Sequence, residues 1–349
     1  MPVLVDLQRS DHHLVARGAA IADLAGAPTA GVDIALVNNM PDAALIATER
    51  QIYDLLAAAA KNRIVRLHFY MMETLPRSDW GRDYAKRFYR NVGELVNRRL
   101  DGVIVTGAEP KAAVLTEEPY WSTFGQLVDW ADENTTSTLF SCLAVHGALL
   151  HVDGVKRRPL PAKCIGVFTQ TRTIDHDLLH GVAPTFRMPH ARWNEVEQDC
   201  LSACGYSVLA RSDESGADCF VRQQRKSLFV HFQGHPEYDA QTLLGEFRRD
   251  MGRFLRRESD VCPTIPKGYL DAEAEQIMVA FRDKAVLNRS AEFFGDFPVD
   301  RLVRGLRNVW RPTASLIYRN WLSYLELRQS RKPAAGALLG TTLGNATLG

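Results

Sequence analysis

Apolar and polar positions along the chain alternate between two periods. Val32-Asp33-Ile34-Ala35-Leu36-Val37 is a short apolar run closed by Asn38-Asn39-Met40-Pro41, which predicts a buried strand and its turn. Residues 44–60 carry apolar positions, Ile46, Ile52 and Leu55 among them, that suit a helix. Residues 65–70 read as a second strand, 83–99 as a helix and 101–108 as a strand entering a small-residue loop. A helix over 121–133 and a strand at Thr138-Leu139-Phe140 follow. Strands at this spacing with helices between them predict an α/β fold: a mostly parallel sheet with helices on both faces.

The pattern changes after residue 160. Residues 163–173 are strand-like and interrupted by Gly166, and 186–193 read as a short loop rich in functional groups. Residues 206–210 and 218–222 are further short strands, together predicting a hairpin-rich extension of the same sheet. Residues 242–257 are helical and bring Glu246, Arg249 and Asp250 near one another. Helices are expected at 271–286 and 299–308, and again at 313–328 after a break at Trp310-Arg311-Pro312. The last stretch is Ala, Gly, Thr and Leu with almost no charge, which predicts a disordered tail. The expected organisation is an N-terminal segment (1–30), a main domain (31–260), a C-terminal helical extension on the same domain (261–330) and the tail (331–349). There is no internal repeat and no phosphate-binding glycine fingerprint.

Charge and composition mainly exclude. A net charge of +1 gives no general attraction to nucleic acid or an anionic membrane. No apolar run approaches a membrane span, and Asp6 and Arg9 come too early for a secretory signal. Six cysteines without framework spacing predict a reduced, cytoplasmic setting. Cys200 and Cys204 are four apart, but no second Cys or His pair follows at zinc spacing, so no metal site is expected.

The candidate chemistry begins at Cys142. The strand-like run to Phe140, the small Ser141, the thiol and a helix-competent stretch from Leu143 have the layout of a nucleophile elbow. There the helix's positive end favours a thiolate, and the next backbone N–H can hold an oxyanion. Taken alone, such a cysteine is more often a buried structural one. Two further residues shift the balance. Residues 228–233 read as a buried strand ending at Gly234, so His235 and Glu237 fall just past its carboxyl end, where catalytic groups of open α/β sheets gather. A histidine there can take the thiol proton, and a carboxylate can orient it.

The chain resembles the homoserine O-acyltransferase family, whose fold resembles class I glutamine amidotransferases and is flavodoxin-like. The matching pieces are Leu36-Val37-Asn38-Asn39-Met40-Pro41, Asp101 to Ala108, Tyr120-Trp121, Phe140-Ser141-Cys142, Gly166-Val167-Phe168 and Met188-Pro189-His190-Ala191-Arg192. Gly234-His235-Pro236-Glu237-Tyr238-Asp239, Arg248-Arg249-Asp250 and Asn320-Trp321-Leu322 complete the set, in the family's order. The resemblance implies ping-pong acyl transfer in methionine biosynthesis, with acyl-CoA as co-substrate, homoserine as acceptor and no other cofactor. Cys142 would carry the acyl group, His235 would act as base and Glu237 would orient it. Leu143 and Ala108 would supply oxyanion N–H groups. Arg249 matches the family's arginine for the amino-acid carboxylate, with Arg192 in the same or a supporting role. The family's habit implies a homodimer.

The chain also departs from the family. Leu143-Ala144-Val145-His146-Gly147 stands where the family usually has Trp-Gly-Ala-Gln-Ala, and a family lysine after the Asn-Met-Pro loop is missing. Lys111 falls where the family sets acyl choice, with Glu for acetyl and Gly for succinyl. A lysine can pair with a succinyl carboxylate, fill the pocket with its stem or turn to solvent; on charge, succinyl-CoA is favoured over acetyl-CoA. A glutamine amidotransferase-type Cys hydrolase and a non-catalytic metabolite-binding paralogue are the alternatives.

Overall fold

Alternate residues of single strands enter opposite cores, which shows that the sheet is covered on both faces. The computed structural model describes residues 3–7, 9–22 and 31–329. The strands are β1 (Val3–Asp6), β2 (Ala20–Ile21), β3 (Val32–Val37), β4 (Val65–Met71), β5 (Arg90–Asn91), β6 (Gly102–Val105), β7 (Ser137–Ser141), β8 (Arg158–Arg172), β9 (Thr185–Glu195), β10 (Ser207–Ser212), β11 (Gly216–Gln223) and β12 (Leu228–Phe232). The α-helices are α1 (His13–Ala16), α2 (Leu45–Ala60), α3 (Asp79–Phe88), α4 (Trp121–Asn134), α5 (Leu143–Asp153), α6 (Gln198–Ala203), α7 (Thr242–Leu255), α8 (Ala272–Leu287), α9 (Val299–Leu302) and α10 (Arg311–Gln329). Ile34, Leu36, Leu67, Phe69, Ile104 and Leu139 face Ile52, Leu55 and Leu56 of α2 and Ile317, Trp321 and Leu325 of α10. Their neighbours Ala35, Val37, Tyr70, Val103, Val105 and Phe140 face Phe124, Leu127 and Val128 of α4 and Val145 and Leu149 of α5.

One sheet runs in the order β2-β1-β4-β3-β6-β7-β12-β11-β10-β8-β9, with β5 beside β4. The half from β2 to β12 is parallel. The half from β12 to β9 is antiparallel. The α/β class, the two covered faces and the hairpin-rich extension therefore hold. Gly102 of β6 admits close packing: a Cβ there would meet the Trp321 ring at 2.8 Å and Leu325 at 2.9 Å.

Several elements differ from the sequence reading. Residues 3–6 join the sheet as β1, held through the Asp6 carboxylate by His68 at 2.6 Å and Arg90 at 2.7 Å. The helix expected over 83–99 is the shorter α3, because Tyr89 turns extended and Asn91 with Glu94 caps a new 3-10 turn. The expected loop over 186–193 is strand β9. Pro189 disguises it, but β9 is the last strand of the sheet, where a missing N–H is tolerated. The helix expected over 299–308 is only α9 and one 3-10 turn. Helix α10 begins at Arg311, with Pro312 in its first turn where no N–H bond is lost. The expected tail at 331–349 lies outside the described residues.

A third core joins α7, α8 and Trp310 to Ile165 and Val167 of β8 and to Tyr238. The Tyr238 carbonyl accepts from Trp310 Nε1 at 2.9 Å and from Asn308 Nδ2 at 3.0 Å. The residues before α10 thus brace the segment that carries His235 and Glu237.

Candidate active site

Cys142 sits where β7 stops and α5 starts, with φ 51° and ψ −111°. A side chain rarely adopts that backbone, and here the surrounding structure imposes it. The Cys142 N–H donates to the Phe232 carbonyl at 2.9 Å, tying the elbow to the end of β12. The first amides of α5 have no partner within the helix and lie beside the thiol. Gly107 lies against them: a Cβ there would sit 3.0 Å from the Leu143 nitrogen. The Gly107-Ala108 loop and the Leu143 N–H therefore share one side of the elbow.

His235 follows the same strand end. Its N–H donates to the Pro189 carbonyl at 2.8 Å, and its Nδ1 meets Glu237 Oε1 at 2.8 Å. The ring lies flat on Tyr238, with centroids 4.0 Å apart and planes 13° off parallel. Ser141 Oγ donates to the same Glu237 oxygen at 3.3 Å. Nε2 is buried, and besides Glu237 the ring interacts with the Cys142 thiol. The two groups are close enough for their charges to couple. Burial works against the imidazolium, but Glu237 and Cys142 outweigh it and hold the His235 pKa well above its ordinary value. The site thus favours the imidazolium form of His235 beside the Cys142 side chain.

The thiol opens into a cavity of about 510 Å³ lined by Met40, Ala108, Leu143, His235, Tyr238 and Arg249 among others. It lies between the β6 and β7 loops, the β8–β9 hairpin and α7. This is the carboxyl end of the parallel strands, where open α/β sheets place ligands. Family comparison decides what the arrangement belongs to: residues 18–331 match the model described as HTS: Homoserine O-succinyltransferase. The chain belongs to the homoserine O-succinyltransferase family. It is therefore one of a family of acyltransferases. It is 45% identical over 291 residues to the homoserine O-succinyltransferase of Rhodopseudomonas palustris, covering 83% of this chain and 87% of that one. It is 43% identical to the protein of that name from Methylorubrum extorquens, covering 84% and 87%. Among solved structures it is similar to a glutamine amidotransferase from Methylobacillus flagellatus, at 14% identity and TM-score 0.48, covering 85% of this chain and 96% of that one.

Within this family member, the sequence candidates separate. Cys142, His235, Glu237, Leu143, Ala108, Arg249 and Arg192 all line the one cavity. Arg249 is about half exposed and pairs with Asp250 at 2.8 Å. Arg192 is buried, and its guanidinium is used by the backbone: Nη1 donates to Asn194 O at 2.8 Å and Nη2 to Ser215 O. It ties β9 to the turn between β10 and β11. Lys111 does not line the cavity. It is exposed and borders a neighbouring cleft with Asn39, Glu118 and Tyr120, while its backbone N–H donates to Glu118 at 2.5 Å. The backbone bond to Glu118 holds the loop while the Lys111 side chain is exposed, which is the solvent-facing alternative of the sequence reading.

Other lining residues were not singled out from the sequence. Lys163 is buried in β8 and bonds Glu246 at 2.8 Å and Asp250 at 2.7 Å. A lysine inside a strand-like run was its only signal. His146 lies one turn beyond Cys142 on α5, buried, with Nδ1 unpartnered. Burial, with Arg192 and Arg157 nearby, pushes its pKa down to about 3, so it is neutral at pH 7. Among the described residues, His12, His13 and Glu49 come within metal-ligand distance of one another. They lie outside the cavity, and His12, His13, Tyr84 and Tyr89 already saturate the Glu49 carboxylate. No helix among the described residues is long and apolar enough to cross a membrane.

Proposed function

We propose that the chain transfers an acyl group from acyl-CoA to the hydroxyl of homoserine through an acyl-cysteine on Cys142. The observation that carries this is the Cys142–His235–Glu237 arrangement at the mouth of the cavity, in a member of this family. The Cys142 thiolate adds to the thioester carbonyl, the new oxyanion takes hydrogen bonds from the Leu143 and Ala108 N–H groups, and the C–S bond to CoA breaks. The departing sulfur takes the proton held by His235. This half-step exchanges one thioester for another and is close to thermoneutral. The homoserine hydroxyl then attacks the acyl-cysteine, gives its proton to His235, and the Cys142 thiolate leaves again. Arg249 suits the acceptor's carboxylate, since a guanidinium can meet both oxygens. Glu237 holds the imidazole in place and stabilises its charged form in both halves.

Mixing the protein with succinyl-CoA or acetyl-CoA and no acceptor should release a burst of about one thiol per active site. Intact-protein mass spectrometry should show the matching acyl adduct, and homoserine should discharge it. The burst should vanish in Cys142→Ser. No thiol release with either donor, or turnover of glutamine in its place, would overturn the reading.

A further inference from the structure

The cavity beside Cys142 is lined by five lysine and arginine side chains: Arg157, Lys163, Arg192, Arg249 and Arg253. Four of them are engaged. Lys163 bonds Glu246 and Asp250, Arg249 pairs with Asp250, and Arg253 meets Glu109 at 2.9 Å. Arg192 is held by two backbone carbonyls. Arg157 alone of the five has neither an anion nor a carbonyl: its Nη1 is buried and without a hydrogen-bond partner.

Its position is set by the end of the elbow helix. Helix α5 stops at Gly154, a left-handed cap with φ 68°, and Arg157 follows three residues later as the chain turns into β8. Its charge is felt by Cys142, Tyr120, Glu118 and His146. Arg157, Cys142 and His146 line the same cavity. Glu118 is close enough for its charge to act on Arg157, but its Oε1 accepts from the N–H groups of Lys111 and Ala112 at 2.5 and 2.7 Å, and its buried Oε2 makes no ion pair or hydrogen bond with the guanidinium. His146 beside it is neutral and has an unused ring nitrogen.

An unpaired, half-buried guanidinium has lost water without gaining an anion. A planar carboxylate would meet two of its donors at once. A four-carbon dicarboxylic acyl group on Cys142 would project its far carboxyl roughly 4 Å beyond the thioester carbon, across three C–C bonds of about 1.5 Å. An acetyl group ends in a methyl and offers nothing there.

We propose that Arg157, with His146 beside it, receives the distal carboxylate of a dicarboxylic acyl group carried on Cys142, and so sets the choice of acyl donor. The assignment rests on the acyl-cysteine reading above. Lys111, exposed and outside the cavity, is not the selecting cation.

The test is the ratio of kcat/KM for succinyl-CoA to that for acetyl-CoA. Arg157→Ala and Arg157→Gln should each lower it by about 10- to 100-fold, the range for losing a hydrogen-bonded charge partner. Arg157→Lys should restore part of it. Lys111→Ala should leave it within about twofold, as an exposed charge would. An unchanged ratio in both the Ala and Gln variants would overturn the assignment. So would an equal rise in KM for both donors, which would place Arg157 on the shared CoA moiety. Failure of the wild-type chain to form any acyl adduct would instead remove the parent reading, and the assignment with it.

Discussion

At the residue scale, histidines show how burial sorts one side chain into several roles. His235 has a carboxylate and a thiol beside it and is held charged, whereas His146 and His231 have neither and are held neutral. His231 is packed between Phe140 and Phe220, with centroids at 5.2 and 4.9 Å and planes nearly parallel, and both ring nitrogens lack partners. Burial pushes its pKa down to about 3. As pH falls through 6.5 the unfolded chain takes up this proton and the folded chain does not, so acid favours unfolding. His231→Phe should remove that term and recover about 2 kcal/mol at pH 5 relative to pH 8. Urea unfolding at the two pH values would measure it, and an unchanged difference would refute it. The residue scale also marks what the sequence could carry. The Cys142 elbow and the His-x-Glu strand end were legible because each follows a short apolar run. Arg157 and His146 were not, since a guanidinium's lack of partners is a fact about the fold and not about neighbouring residues.

At the element scale, the central parallel strands β3, β6 and β12 were legible because both of their faces are buried, which makes each a mainly apolar run. The misread elements share a different cause. β9 carries Pro189 and polar residues because it is an edge, and α3 ends early because long-range pairing of Arg90 with Asp6 wins over helical continuity. The role of the residues before α10 needed the structure, since only there do Trp310 and Asn308 meet the Tyr238 carbonyl. Packing between β6 and α10 leaves no room for a side chain at Gly102. Gly102→Ala would drive a methyl into Trp321 and Leu325 and should destabilise the fold by about 2 kcal/mol. Trp321→Phe in the same chain should relieve part of that in a double-mutant cycle. Strict additivity of the two would show that the contact is not what limits Gly102.

At the scale of the whole molecule, one side of the sheet depends on a helix distant in sequence. Ile317, Tyr318, Trp321, Leu322 and Leu325 of α10 are all at most 2% exposed against that face. At roughly 2 kcal/mol each, they contribute about 10 kcal/mol, as much as a typical domain's whole stability. A chain ending at residue 310 should therefore show no cooperative melt and should bind a hydrophobic dye, while a sharp calorimetric transition would contradict this. The consequence is one of timing. The Trp321 indole donates to Ser137 Oγ across 184 residues. At roughly 5–20 residues per second, a ribosome needs about 10–40 s to go from one to the other. Over that interval β3, β4, β6 and β7 have been made, and the apolar face they share is covered by α2 but not yet by α10. The growing chain must be kept from its neighbours for that time, and the dependence of its yield on chaperone supply should fall on this interval.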